Sequence, residues 1–222
     1  GFLLSVNKYN ENSSIAEFYT SEHGKSSGII FGSSSKKIKS YLIPGNKLHI
    51  NYSSKNSNSI GNFKIEIDKI TTPFYLNDKI KLQSIIYILQ IIKILTVENQ
   101  SNLKIFHQIE NFFKFLENDT WIKDFIYWEL TLFKTLGYEI NFNNYVKKKN
   151  FNGIDHYVSI YDENKIVPSF LLNNDNKKNL NNEELVKSIN VLGDFLNKSI
   201  LQDTNISVPI SRLKLVELLS NL

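Results

Sequence analysis

A chain of 222 residues with 41% apolar and 22% charged side chains is ordinary globular material, long enough for one large core or two small ones. It contains no cysteine, which excludes disulfides, thiolate metal sites and thiol catalysis. The four histidines show no metal-ligand spacing, so we expect neither a metal nor another cofactor. Among the 26 basic residues only Arg212 is an arginine, a bias typical of A/T-rich codon composition.

Two stretches bear on localisation. Residues 1–9 are too short for a signal-peptide core and lack its basic start. The most apolar run, residues 82–97, is too short for a spanning helix and carries polar residues, among them Gln90 and Lys93. We therefore expect a cytoplasmic protein without a membrane crossing.

Residues 22–64 are unusual in their charge. After Glu22 this stretch holds seven lysines, and the next acid is Glu66. The chain's net charge of +4 sits in residues 1–75, because the basic and acidic groups of the remainder balance. A basic block of this kind suggests nucleic acid or an acidic surface as partner. The alternative is a lysine-coated face that only meets solvent.

The first 70 residues alternate apolar and polar side chains in short runs separated by turn residues, which predicts strands. Five strands in this length suit a small closed barrel, because closure removes exposed sheet edges. The five-stranded barrel of this size that binds nucleic acids is the OB-fold. The runs are residues 2–9, 14–20, 27–32, 46–53 and 62–70.

After Pro73 the apolar spacing becomes helical. Residues 138–181 are the least regular part, with one weak hairpin around Asp162–Lys165 and then an Asn-rich loop. We predict an α+β protein with an OB-fold domain at 1–73 and a helical domain at 74–222 that contains a small irregular insertion at 138–181. The predicted helices cover residues 77–95, 101–117, 120–137, 182–201 and 208–220, with Asn77 or Asp78 and Asp119 or Thr120 as caps of the first and third and Gly137 ending the third.

The third helix carries an apolar stripe at helical spacing. Trp121 and Trp128 in this stripe are candidates for ligand stacking, but we interpret the stripe as core. Glu129 lies between apolar neighbours, and we expect it to be buried and hydrogen-bonded rather than catalytic. The stripe consists of Trp121, Phe125, Trp128 and Leu132.

Enzyme signatures are missing from the sequence. The segment from Gly28 to Lys37 does not fit a phosphate-binding loop, because only three residues separate Gly28 from Gly32 and no lysine follows Gly32 directly. No G-x-S-x-G elbow and no H-E-x-x-H pair occurs. We therefore expect a protein without catalytic activity.

The basic stretch also carries aromatic residues. Single-strand binders combine a cationic groove that follows the phosphates with aromatic faces on which bases stack. Alternation places about half of these aromatics inside the barrel, and Tyr41, in a predicted lysine-rich loop, is the best candidate for exposure. The aromatics are Phe18, Tyr19, Phe31, Tyr41 and Tyr52, and the candidate DNA-binding residues are Lys25, Lys36, Lys37, Lys39, Lys47, Lys55 and Tyr41.

Four segments of the sequence, taken in order, form a recognisable pattern. The most specific is residues 11–37, with an E-x-S start, the turn Thr20–Lys25 and a glycine-led basic segment, Gly32–Lys37. A second signature is "WELTLFKTLGY", residues 128–138, and "LIPGN" at 42–46 and "ISVPISRLKLVELL" at 206–219 complete the pattern, which covers nearly the whole chain. Together these segments resemble the RecO family of bacterial recombination mediators, especially its alphaproteobacterial branch.

The resemblance implies a non-enzymatic, nucleoid-associated DNA-repair protein with an N-terminal OB-fold and a helical C-terminal half. Such proteins bind single- and double-stranded DNA, anneal complementary strands and, with RecR, help RecA replace the single-strand-binding protein SSB. The phosphates of DNA would then explain the acid-free stretch. An OB-fold adaptor that binds acidic proteins and an enzyme with an unrecognised site are the competing interpretations.

This chain departs from the family in two respects. Many members carry a cysteine zinc module between the helices, which is impossible here. Members also commonly have an arginine just before the aromatic-Glu-Leu signature, in the half thought to receive the acidic SSB tail. This chain has Tyr127 at that position, and Lys123 or Lys134, on either side of it, is the candidate substitute.

Overall fold

The computed structural model describes residues 1–54, 60–151, 153–173, 180–202 and 204–222. By their internal contacts these residues form two compact units, Gly1–Phe113 and Lys114–Leu222. The predicted domain boundary after residue 73 stays a prediction, because compactness alone does not show which segments fold independently. In the described part of the chain, no helix is long and apolar enough to cross a membrane.

The first unit is built around a closed barrel with the strand order β1-β2-β3-β5-β4. Within the barrel β3 and β5 pair in parallel, and β1 closes the barrel against β4 through Phe2 and Lys47. Together with a short helix, α1, between the third and fourth strands, this architecture is the predicted OB-fold. The elements are β1 (Phe2–Asn10), β2 (Ser13–Thr20), β3 (Gly24–Phe31), α1 (Lys36–Tyr41), β4 (Lys47–Ser53) and β5 (Gly61–Lys69).

Alternate strand residues fill the interior of the barrel, as the pleat of a strand requires. Ile38 and Tyr41 of α1 pack against this core from one side. The five predicted strands are therefore confirmed in position, to within three residues at each end. The buried core residues are Leu3, Ala16, Phe18, Ile30, Leu48, Phe63 and Ile65.

Two helices complete the first unit, after a 3₁₀ turn at Thr72–Tyr75. Helix α2 (Lys79–Leu95) begins at Asp78, whose carboxylate accepts hydrogen bonds from the first-turn amides. Helix α3 (Leu103–Phe115) places the rings of Phe106 and Phe113 5.5 and 5.7 Å from that of Phe2.

The segment between α2 and α3 lies directly on β3. The amide of Asn99 donates to the carbonyl of Lys25 at 2.8 Å, and the Ser27 hydroxyl donates to the Glu98 carboxylate. Gly24 makes this approach possible, since it has a φ of +67° and an added Cβ would lie 1.9 Å from the Gln100 carbonyl oxygen. The turn in the Thr20–Lys25 signature is thus shaped by a tertiary contact.

The second unit is mainly helical. Helix α4 has the apolar stripe buried along its length, which confirms the core interpretation, and it ends before Gly137, whose φ is +91°. Helix α7 continues into a π-helical turn at Leu196–Ile200, so the helix predicted at 182–201 has two parts. The helices are α4 (Trp121–Thr135), α5 (Phe142–Tyr145), α6 (Ser169–Asn173), α7 (Asn182–Phe195) and α8 (Ile210–Ser220).

The insertion holds a three-stranded antiparallel sheet in the order β6-β7-β8. The predicted hairpin is present as β7 (Ile154–Ser159) and β8 (Asp162–Ile166), although its turn lies just before Asp162. Strand β6 (Val146–Phe151) was not predicted, because its three successive lysines hide the alternation. Most of the Asn-rich loop that is predicted after the hairpin lies outside the described residues.

Candidate nucleic-acid interface

Helix α1 concentrates exposed positive charge at one end of the barrel. Ser35 caps it, with the side-chain oxygen accepting from the amide of Ile38 at 3.4 Å. Ile38 faces the barrel core, whereas Lys36, Lys37 and Lys39 are exposed. In the part of the chain that the structure describes, these three ammonium groups form no ion pair. They are therefore available for an external anion.

The prediction that these three lysines lie in a loop is wrong. Six residues are enough for a helix here because Ile38 and Tyr41, three residues apart, share the face that packs on the barrel. The helix fixes the outward direction of the lysines. Their role in DNA binding stays a prediction.

Tyr41 is less exposed than expected. It is half-buried against the barrel core, and its carbonyl accepts a hydrogen bond from the Asn46 side chain at 3.2 Å. Phe31, Tyr52 and Tyr9 have exposed fractions of 64%, 52% and 59%. The expectation that Tyr41 is the exposed aromatic of this stretch is therefore wrong, because its side chain packs against the barrel core.

Lys25 has an internal partner. Its ammonium group donates to the carbonyl of Lys93 at 2.8 Å, near the C-terminal end of α2. A cation at that position satisfies a carbonyl that the helix leaves without an intrahelical amide partner and also interacts well with the helix dipole. Lys25 is thus engaged in holding α2 against the barrel.

Lys47 is also engaged. Its ammonium nitrogen lies 3.0 Å from Glu110 and 3.4 Å from Asp68. Burial alone would lower the pKa of Lys47, but the hydrogen bonds and charges of the two carboxylates outweigh it and raise the pKa above 10.5. Lys47 therefore has two carboxylates to neutralise it. Lys55, another of the predicted contacts, lies outside the described residues.

A groove of about 960 Å³ opens in the first unit near β4. Tyr52 and Phe63 form part of its wall, and the carboxylates of Glu22, Asp68 and Glu98 also line it. Carboxylates repel phosphate, so this groove suits a nucleic-acid backbone less well than the surface of α1 does.

A second cavity, of about 580 Å³, lies in the second unit. Tyr127 and Lys134 line it together with apolar residues of α4 and α6. The Lys134 ammonium is 2.6 Å from the carboxylate of Glu139, and both side chains are largely exposed. Of the two candidate substitutes for the family's arginine, Lys134 lies at this cavity, and Lys123 is not among the lining residues.

Glu129 has a structural partner, as expected from its apolar neighbours in the sequence. Its side chain is fully buried, and its carboxylate accepts hydrogen bonds from both terminal nitrogens of the buried Arg212 guanidinium, one of them at 3.1 Å. Arg212 also donates to the Ile189 carbonyl at 2.7 Å. The pair thus joins α4, α7 and α8. No cluster of three or more potential metal ligands occurs among the described residues.

These features define an OB-fold protein with a basic exposed helix on its barrel and a helical second unit held by a buried ion pair. The chain belongs to the recombination protein O family. The model of that family's N-terminal part matches residues 1–69, and the model of its C-terminal part matches residues 76–219.

Several relatives named DNA repair protein RecO are similar to this chain. The one from Rickettsia felis is 26% identical, with 91% of this chain and 90% of the relative covered. The one from Rhodospirillum centenum is 20% identical over 97% of this chain and 91% of the relative. The protein from Roseobacter denitrificans is 25% identical over 63% of this chain. The matched region spans 58% of that relative's length.

Proposed function

We propose that this chain acts in DNA repair and recombination as a non-enzymatic, DNA-binding mediator. The observation that carries the proposal is the group of three exposed lysines on α1, which have no counter-ion among the described residues. Membership of the recombination protein O family supports the same role. The chain would bind single- and double-stranded DNA and anneal complementary strands. With RecR it would help RecA replace SSB on DNA at the nucleoid.

The lysines on α1 suit phosphate for a physical reason. Binding a phosphate releases condensed counterions from DNA, and this release is the main source of non-specific affinity. An ammonium group gains less from a phosphate when a carboxylate already neutralises it, as for Lys47, or when a carbonyl already accepts its hydrogen bond, as for Lys25. Lys36, Lys37 and Lys39 should therefore contribute more than Lys25 and Lys47, which have internal partners.

The proposal is tested by changing Lys36, Lys37 and Lys39 together to Ala. Each phosphate contact contributes roughly −0.7 to the slope of log K against log salt for single strands. If all three lysines touch phosphates, the slope should flatten by about two units, and the affinity for duplex DNA should also fall.

A matched control removes the same charge elsewhere in the chain. Lys79, Lys104 and Lys114 are exposed helix residues outside the barrel, and changing them to Ala should leave the slope nearly unchanged. Equal effects of the two triple variants would show that only net charge matters, and would remove the argument for α1. If the unmodified protein does not bind DNA, the adaptor interpretation replaces the mediator one.

The mediator step is measured as annealing of complementary oligonucleotides coated with SSB, with and without RecR. We propose that the acidic SSB tail uses the cavity beside Tyr127, where its carboxylates would replace Glu139 as the partner of the Lys134 ammonium. An unchanged annealing rate in the presence of this chain would contradict the mediator role even where DNA binding is observed.

A further inference from the structure

Phe31, at the end of β3, presents its ring to solvent. The preceding residue, Ile30, is buried in the barrel core at 1% exposure. Because successive strand residues point to opposite faces, the Phe31 side chain points away from the core, and it is 64% exposed. A large aromatic left in water forgoes the free energy that burial would give.

A second exposed aromatic lies at the same end of the barrel wall. Tyr9 is 59% exposed and occupies the irregularity of β1 between Lys8 and Asn10. Asn10 pairs with Ser13 of β2, and Ser13 pairs with Phe31 of β3. The two aromatic residues are therefore about two strand spacings apart, roughly 10 Å.

Hydrogen bonds connect these aromatics to the basic helix. The carbonyl of Asn12, in the β1-β2 turn, accepts from the amides of Gly32 and Ser33 at 2.8 and 3.2 Å. This loop leads directly from Phe31 to Ser35, which caps α1. The hairpin, the end of β3 and the start of α1 are thus tied together, which places the first lysines of α1 near Phe31. These lysines are Lys36 and Lys37, and both are exposed.

The chain itself occupies part of the remaining wall of β3. Lys25 donates a hydrogen bond to a carbonyl at the end of α2, and Ser27 donates one to the carboxylate of Glu98. Phe31, at the other end of the strand, is left exposed beside the lysines. A polyanion with flat apolar groups matches this combination of charge and aromatic surface.

We propose that Phe31 and Tyr9 form a stacking platform for unpaired bases of single-stranded DNA whose phosphates lie against Lys36 and Lys37. The proposal rests on the proposed DNA-binding function and adds to it a preference for single strands. In a duplex the bases already stack on one another, so the rings contribute only where bases are unpaired.

Changing Phe31 to Ala should weaken binding of a short oligothymidine roughly fivefold to a hundredfold, the range for loss of one base-aromatic stack. The salt slope and the affinity for duplex DNA should stay the same, because no phosphate contact is removed. Phe31→Tyr keeps a stacking ring and should retain the affinity. Phe74→Ala is the matched control, since Phe74 is 76% exposed but lies in the turn after β5.

Phe31→Trp gives a direct spectroscopic measurement. The two native tryptophans are buried, with 6% and 5% of their surfaces exposed. Most of the tryptophan fluorescence that responds to solvent or to a bound ligand should therefore come from the introduced tryptophan. We expect oligothymidine to quench this emission and duplex DNA to leave it largely unchanged. Unchanged oligothymidine affinity in Phe31→Ala, or equal losses for single strands and duplex, would overturn the platform while leaving the DNA-binding function intact. Failure of the unmodified protein to bind any DNA would instead refute the proposed function.

Discussion

Replacing Arg212 by Ala should strongly destabilise the second unit. The guanidinium is 1% exposed, Glu129 is fully buried, and three hydrogen bonds join the arginine to α4 and α7. Removing one partner of such a pair leaves an uncompensated buried charge, which typically costs about 3–5 kcal/mol. A domain has about 5–15 kcal/mol of total stability, so the variant would lose a large part of it.

Urea denaturation followed by tryptophan emission measures this cost. Trp121 and Trp128 both lie in Lys114–Leu222, so their emission reports unfolding of that unit rather than of the barrel. Changing Glu129 to Leu and Arg212 to Met together should reduce the free energy of unfolding less than Glu129→Leu alone or Arg212→Met alone. In the double variant neither charge is left unpaired. The double-mutant cycle isolates the coupling between the two side chains.

The surface pair of Lys187 and Glu183, one turn apart on α7, is the matched control. Lys187→Ala should change the free energy of unfolding by no more than about 0.5 kcal/mol. A loss below about 1 kcal/mol in Arg212→Ala, or no coupling in the cycle, would refute the reasoning that the buried pair holds the three helices together.

Two further predictions concern the core and acid stability. Trp128→Ala should cost about 3–5 kcal/mol and yield little soluble protein, since the ring is 5% exposed and stacks on Phe125; a soluble variant with unchanged urea midpoint would contradict this. Burial alone would raise the pKa of Glu110, but hydrogen bonds from His107 and Lys47 outweigh it and keep the pKa below 4.5. A carboxyl group whose pKa is lowered by folding stabilises the folded state at pH values above its unfolded pKa. The contribution of Glu110 should therefore disappear as the pH falls below about 4.5. Glu110→Gln should flatten the pH dependence of amide hydrogen exchange in β4. Equal pH dependence in the variant would show that Glu110 is not responsible.

Local patterns predicted most of the fold because they follow from local physics. Alternation placed the five barrel strands, and helical spacing with Asp78 and Gly137 placed the ends of two helices. Helix α1 was missed because six residues rich in lysine show only one apolar pair, Ile38 and Tyr41. Strand β6 was missed because alternation is invisible in consecutive lysines.

The candidate site was harder to predict than the fold, because its residues depend on distant partners. The carbonyl that engages Lys25 is 68 residues away, and the carboxylate nearest to Lys47 is 63 residues away. No local pattern shows which lysines keep a free charge. The outward direction of Phe31, in contrast, follows from alternation with Ile30 and was available from the sequence.

The buried ion pair also bears on the composition of the chain. Lysine serves well wherever a solvated point charge is enough, and this sequence uses it at every basic position except Arg212. There the side chain must reach two carboxylate oxygens and the Ile189 carbonyl at once, which requires the planar fork of a guanidinium. Geometry thus sets a limit on how far codon bias can exchange one cation for another. In proteins of similar composition, the few remaining arginines are the first positions to inspect for a buried, two-pronged contact.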